Sequence, residues 1–201
     1  MIHCLYQKGG STKKTEEMKY LIVFLLLLPV VTVAQATYGN WSIENANAVF
    51  VKVYEVEDDS ASIAETLKAY LLNLGYVKNI EVLDSRIYAN LEGYQVDYKR
   101  QGFGDLSAPF IFSSGLWRGR IIAQVKENKY RIQITDIAHS TKLYGLSAGG
   151  LQDSEVNGNI NDVLLKKDKS GFRKNALRNA DALGNDLEYY FMIKGGSKSD
   201  W

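Results

Sequence analysis

His139 and Ser140 are the first residues whose types could do nucleophilic chemistry, since an imidazole can take the proton of a hydroxyl. As neighbours in an alternating run they point to opposite faces of a strand. No Gly-x-Ser-x-Gly turn accompanies them, so His139 is expected at a surface or strand end. The other histidine, His3, and the single cysteine, Cys4, both precede an apolar leader that is expected to be removed. A metal site of the His or Cys type then lacks its ligands by count. One oxygen-ligand pattern exists: Asp153, Glu155, Asn157, Gly158, Asn159, Ile160 and Asn161 follow the opening of a calcium loop. Its last position is Leu164, where a bidentate Glu is required, so a polar Asn-Gly turn is expected instead. Glu57, Asp58 and Asp59 could serve carboxylate chemistry, but they read more simply as the solvated lead-in to a helix. Gly102-Phe103-Gly104 is too short to cradle a phosphate. No metal and no cofactor is expected, and the reading leans away from an enzyme.

What remains is a polar surface. Leu116 to Ile137 reads LWRGRIIAQVKENKYRIQITDI. It carries Trp117, Arg118, Arg120, Gln124, Arg131 and Gln133, the candidate ligand- or partner-binding residues, with Lys126 beside them. Arg and Trp are frequent binding anchors; the plainer alternative is solvated strand decoration. The element that holds them is an antiparallel hairpin. A two-residue loop at Glu127-Asn128 pairs Val125 with Tyr130, Ala123 with Ile132 and Ile121 with Ile134, all on one apolar face. The opposite face pairs Gln124 with Arg131, Ile122 with Gln133 and Arg120 with Thr135. A slip of one residue would mate apolar with polar residues throughout, so the register is well specified.

The chain has 201 residues, 46% of them hydrophobic, and a formal charge of +1. This suits one globular domain with its own core and gives no sign of a nucleic-acid partner. Met18 to Ala36, MKYLIVFLLLLPVVTVAQA, reads as a signal peptide with cleavage after Ala34 or Ala36. Its apolar run is too short, and broken by Pro29, for a comfortable membrane span. Residues 1–17 read as an over-extended start or a long basic n-region, with Met18 as the alternative start. No cysteine follows the leader, so the mature fold rests on its core with neither a disulfide nor a lipid attachment point. The expected address is periplasmic or extracellular.

The rest of the chain supplies a frame. Thr37 to Ala46 is expected to be loose, with Trp41 as the residue that docks. Asn47 to Val56 is a strand with Val49, Val51 and Val53 on one side. A helix follows to Leu74, capped by Ser62 with Glu65 or by Ser60, with Ile63, Leu67, Tyr70, Leu71 and Leu74 as its stripe. Val77 to Leu83 and Arg86 to Leu91 are strands, and Gly93 marks a bulge before Tyr94 to Tyr98. Lys99 to Gly115 is a long loop holding Phe103, Phe110 and Phe112, with a possible cleft beneath it. His139 to Lys169 is weakly patterned, and Gly145 to Gly150 is flexible in composition. Ser170 caps a final helix, Gly171 to Ile193, with Phe172, Ala176, Ala180, Leu183, Leu187 and Phe191 on one stripe and Gly184 inside it. Residues 194–201 form a tail. The domain over 47–193 is α+β, a curved antiparallel sheet with two helices on one face.

The run IIAQVKENKYRIQITDI resembles the hallmark segment of an uncharacterised family of secreted Bacteroidetes proteins, the domain of unknown function numbered 4468, with a TATA-binding-protein-like fold. The matching residues are Val125, Lys126, Glu127, Lys129, Tyr130, Arg131, Thr135, Asp136 and Ile137. The resemblance covers Ala48 to Ile137, and the C-terminal third by element order. It implies fold and address but no catalytic residue, and the fold name implies no DNA binding. The expected function is an exported binding or interaction module for a peptide, glycan, lipid or envelope protein. It would use the exposed sheet face or the cleft under the loop, and it would have no membrane span once the leader is removed. The alternatives are a carboxylate-based hydrolase of the cell envelope and a structural envelope component that assembles through sheet edges.

Overall fold

Every pair expected of the hairpin is present in the computed structural model of the chain, which describes residues 36–147 and 150–193. The elements run β1 (Thr37–Tyr38), β2 (Trp41–Glu44), β3 (Asn47–Glu55), α1 (Ser60–Asn73), β4 (Val77–Leu83) and β5 (Arg86–Tyr94). They continue with α2 (Phe110–Ser113), β6 (Gly115–Lys126), β7 (Lys129–Ser147), β8 (Gly150–Asn159), α3 (Ile160–Leu164) and α4 (Leu177–Phe191). All described strands lie in one open antiparallel sheet of order β1-β2-β3-β7-β6-β5-β4. The long β7 pairs β6 on one edge; on the other it pairs β3 along its first half and β8 along its second. Asn128 supplies the left-handed turn residue at φ 59°.

The α+β architecture follows from how the two faces differ. The inner face carries Phe50, Ile87, Ala89, Trp117, Ile121, Ala123, Ile132 and Ile134, all buried. α1 covers it with Ile63, Leu67 and Leu71, and α4 with Ala180, Leu183, Leu187 and Phe191. Gly93, at φ 69°, lies where the register of β5 on β6 shifts, between Leu91 and Tyr94, as its bulge signal predicted.

Several expectations change. Thr37 to Ala46 is ordered: β1 and β2 extend the sheet, and Trp41 is buried with Phe50 at its edge. α1 is capped by Asp59, whose Oδ1 accepts from the Ala61 and Ser62 amides at 2.8 and 3.0 Å. Neither Ser60 nor Ser62 caps it, because the carboxylate one residue earlier reaches both orphan amides. The final helix begins at Leu177, after a 3-10 turn at Lys174–Ala176, and Phe172 instead bridges Leu165. Ser170 bonds back to Asp168 and does not cap α4. The weakly patterned stretch after His139 is the rest of β7, then β8 and α3. Residues 1–17, the leader from Met18 and the tail 194–201 lie outside the described residues. No described helix is long and apolar enough to cross a membrane.

Gly184 costs α4 roughly 1 kcal/mol against Ala in helix propensity, and the packing explains why it is there. The Trp41 Nε1–H donates to the Ala180 carbonyl at 2.8 Å, and a Cβ on Gly184 would stand 2.9 Å from that nitrogen. Gly184→Ala is therefore expected to destabilise the fold by about 1–3 kcal/mol in urea unfolding, through displacement of the indole. A gain in stability, the outcome that propensity alone predicts, would contradict this packing.

Candidate functional site

β6 and β7 sort the candidate residues by parity. Arg118, Arg120, Gln124, Arg131 and Gln133 stand on the outer face, away from α1 and α4. Trp117 does not. It is fully buried on the inner face with Ile121, its ring 5.9 Å from Phe112, and its Nε1–H donates to Ile111 O at 3.2 Å. Its odd number already placed it with Ile121 rather than with the arginines.

The outer residues form two groups. At the hairpin end, Arg131 Nη2 donates to Gln124 Oε1 at 3.0 Å. This pair lines an open cavity of about 230 Å³ with Val53, Lys126, Lys129 and Tyr130. Further along, Gln133 Nε2 donates to Glu44 Oε2 at 3.0 Å across β3, and Arg120 Nε lies 3.9 Å from Asp136. Arg118 is exposed near that end. The site thus gains three residues that were named neither as candidates nor beside them, Val53, Lys129 and the edge of Tyr130, which was expected on the apolar face. Val53 enters through its pairing with Arg131 between distant strands, for which the sequence holds no local signal. Lys129 could have been found, because the two-residue loop sets it directly opposite Lys126. Like charges directly opposite each other cost stability. Lys126, Lys129 and Arg131 have no ion pair among the described residues.

The loop from Lys99 to Gly115 packs two of its aromatics onto the core. Phe103 and Phe112 are buried edge to face at 6.2 Å, and Arg178 stacks over Phe103. Asp186 of α4 anchors the loop's start: it accepts from Tyr94 Oη, the Asp97 amide, Arg100 Nη1 and Gln101 Nε2. Arg100 also bridges to Asp97 at 2.8 Å. The two carboxylates that come near each other here therefore share a guanidinium. The described carboxylates with displaced acidities all move down. Asp105 is lowered by the Lys99 ammonium and Asp168 by the Ser170 amide. Glu188 is lowered by Lys52 and Asn40, against the opposing effect of burial. None of these three is a carboxyl held protonated for acid catalysis.

The residues of the calcium-like pattern are spread along β8 and into α3. Glu155 accepts from Ser140 Oγ, Asn159 caps α3, and Asn161 accepts from the Ala48 amide. An extended strand sends alternate side chains to opposite faces and cannot wrap an ion. Among the described residues no group of three or more His, Cys, Asp or Glu is placed to hold a metal.

His139 is not at the surface. It is 6% exposed on the inner face, with its ring 5.1 Å from that of Trp117 and Nδ1 3.3 Å from Thr141 Oγ1. Burial lowers its pKa below the usual 6.5, and the Asp162 charge opposes this only in part. Below about pH 6.5 the unfolded chain binds the proton that the folded chain resists, so stability is full above that pH and falls as the pH drops through and below it. The expected result is a loss of stability between pH 7 and pH 5 that is smaller in His139→Phe, which keeps a flat ring against Trp117. An unchanged slope would show that His139 does not titrate differently on folding.

No family model and no curated protein matches the chain. Among solved structures it is similar to a DUF4468 family protein from Bacteroides ovatus, at 13% identity and TM-score 0.45, covering 76% of this chain and 91% of that one. It is also similar to a TBP-like protein from Parabacteroides distasonis, at 12% identity and TM-score 0.44, covering 74% and 90%. The hairpin segment resembles the family of the first and the fold of the second.

Proposed function

We propose that the chain is an exported binding module that takes up an anionic group at the hairpin end of its outer sheet face. The observation that carries this reading is the open cavity in which Lys126, Lys129 and Arg131 gather around Val53 and Gln124 with no acidic residue in its lining and, among the described residues, no ion pair to any of the three, although Glu55 stands across the strand pair from Lys129. An anion there would relieve the repulsion between the paired lysines, and Arg131, steadied by Gln124, offers a planar fork for a carboxylate, sulfate or phosphate. The ligand is thus the acidic part of a peptide, glycan, lipid or envelope protein.

The exported address rests on the pattern of Met18 to Ala36. The Ala36 carbonyl accepts from the Ile43 amide at 3.0 Å, at the start of β1, which favours Ala34 as the last residue of the leader. The intact mass of protein recovered from the cell envelope is expected to begin at Gln35; a retained leader would contradict this.

Calorimetry with a Glu-rich peptide, a sulfated disaccharide and inorganic phosphate tests the site. At least one probe is expected to bind, more weakly as salt rises. Lys129→Ser with Arg131→Ser should weaken it about tenfold, the effect of losing roughly 1.4 kcal/mol of charge-assisted contact. Arg118→Ser with Arg120→Ser, at the other end of the face, should leave it within about twofold. Equal effects of the two pairs, or no binding, would overturn the assignment.

A further inference from the structure

β3 ends in an open sheet edge. β2 covers it only over Asn47–Phe50, and the Val51 amide donates to Asn40 O at 2.8 Å. Beyond that point Lys52, Tyr54 and Val56 turn their main-chain groups to β7 and its turn; the Val56 amide donates to Asn128 O at 3.0 Å. Val53 and Glu55 alternate with them, so their N–H and C=O groups face the open side. No described strand pairs there. Under the inner side of this edge lies a cleft of about 890 Å³ whose lining includes Tyr54, Ile63, Thr66, Met192 and Ile193.

Charge identifies the occupant. Lys52 is neutralised by Glu188 at 2.7 Å. Glu55, Glu57 and Asp58, along the same rim, have no ion pair among the described residues. We infer that this edge accepts an extended, basic peptide segment of a partner protein as an added strand. The main chain of the peptide pairs with Val53 and Glu55. Its inward side chains enter the cleft, and its outward lysines or arginines flank Glu55 and Glu57. The same acids oppose a second copy of this chain, whose own acidic rim would face them. This surface adjoins the anion cavity at Val53 and differs from it in what it offers a ligand: main-chain groups and the opposite sign of charge.

The test uses the mature chain and a fluorescein-labelled peptide Thr-Lys-Val-Lys-Val-Lys-Thr, with Thr-Glu-Val-Glu-Val-Glu-Thr as its counterpart, read by anisotropy. The Lys peptide is expected to bind saturably, and in the Lys129→Ser, Arg131→Ser background, which disables the anion cavity, the Glu peptide is expected to bind at least tenfold more weakly than the Lys peptide. Val53→Pro removes an open-edge donor that β7 does not use, a place where strands tolerate proline, and should weaken the Lys peptide about tenfold. Glu55→Gln with Glu57→Gln leaves the backbone intact and should weaken it at least threefold while flattening its salt dependence. The Lys129→Ser, Arg131→Ser pair should not weaken it, which separates this edge from the anion cavity. Native-state hydrogen exchange should show the Val53 and Glu55 amides slowed by the peptide. Failure of the Lys peptide to bind, unchanged affinity in both edge variants, or self-association of the free chain that protects the Val53 amide would overturn the inference.

Discussion

Three tyrosine hydroxyls tie the last turn of α4 to the rest of the domain. A helix ends with four carbonyls that its own backbone leaves without partners. Here Tyr54 of β3 donates to Glu188 O at 3.0 Å, Tyr70 of α1 to Tyr190 O at 2.8 Å, and Tyr130 of β7 to Phe191 O at 3.0 Å. The Tyr130 hydroxyl also accepts from the Ile193 amide at 2.8 Å, so one side chain stops the helix and receives the chain that leaves it. Tyr54 and Tyr130 stack at 4.7 Å and 11°. Burial pushes the Tyr54 hydroxyl up and that of Tyr130 up to about 12, so both are protonated donors at neutral pH. Each bond contributes about 1 kcal/mol, and a buried carbonyl left bare would cost more.

This arrangement decides where the functional surfaces fall. Trp41 holds α4 near its start through Ala180 O, Lys52 and Asn40 hold Glu188, and Tyr94 holds Asp186. The helix is therefore pinned to the inner face along its length, and the outer ends of β6 and β7 stay open. Because Tyr54 belongs to the uncovered half of β3, the contacts that seat the helix also set the wall of the cleft, with Met192 and Ile193 on one side and the open strand edge on the other. Both proposed surfaces meet at Val53, whose side chain faces the cations while its main chain faces the edge.

The hairpin was legible because its information is local. Six pairs follow from alternation and a two-residue loop, and all six are present. The stripe of α1 was legible for the same reason, with Ile63, Leu67 and Leu71 buried as spaced. The pattern fails after Thr135 for a physical cause. Asp136, at φ 53°, is an extra residue opposite the step from Arg118 to Arg120. That bulge changes the inward parity from Tyr130, Ile132 and Ile134 to Ile137, His139 and Thr141. The new inward set is partly polar, so the strand looked finished at Ile137. β1 and β2 were missed because they are short, with β2 joined to β3 by a turn at Asn45 and Ala46 that carries no glycine, and because the group that Trp41 docks on, the Ala180 carbonyl of α4, is far away in sequence. The site was half legible: parity places the arginines correctly and should have removed Trp117, whereas the pairing of Val53 with Arg131 exists only in the folded sheet.

Tyr130→Phe tests this account most directly, since it keeps the ring and its stack on Tyr54 and removes only the oxygen. The predicted result is a loss of about 1–3 kcal/mol in urea unfolding, from a carbonyl and an amide left without their partner, with faster hydrogen exchange at the Ile193 amide. Stability within about 0.5 kcal/mol of the parent and unchanged exchange at Ile193 would contradict the claim that these hydroxyls hold the helix in place.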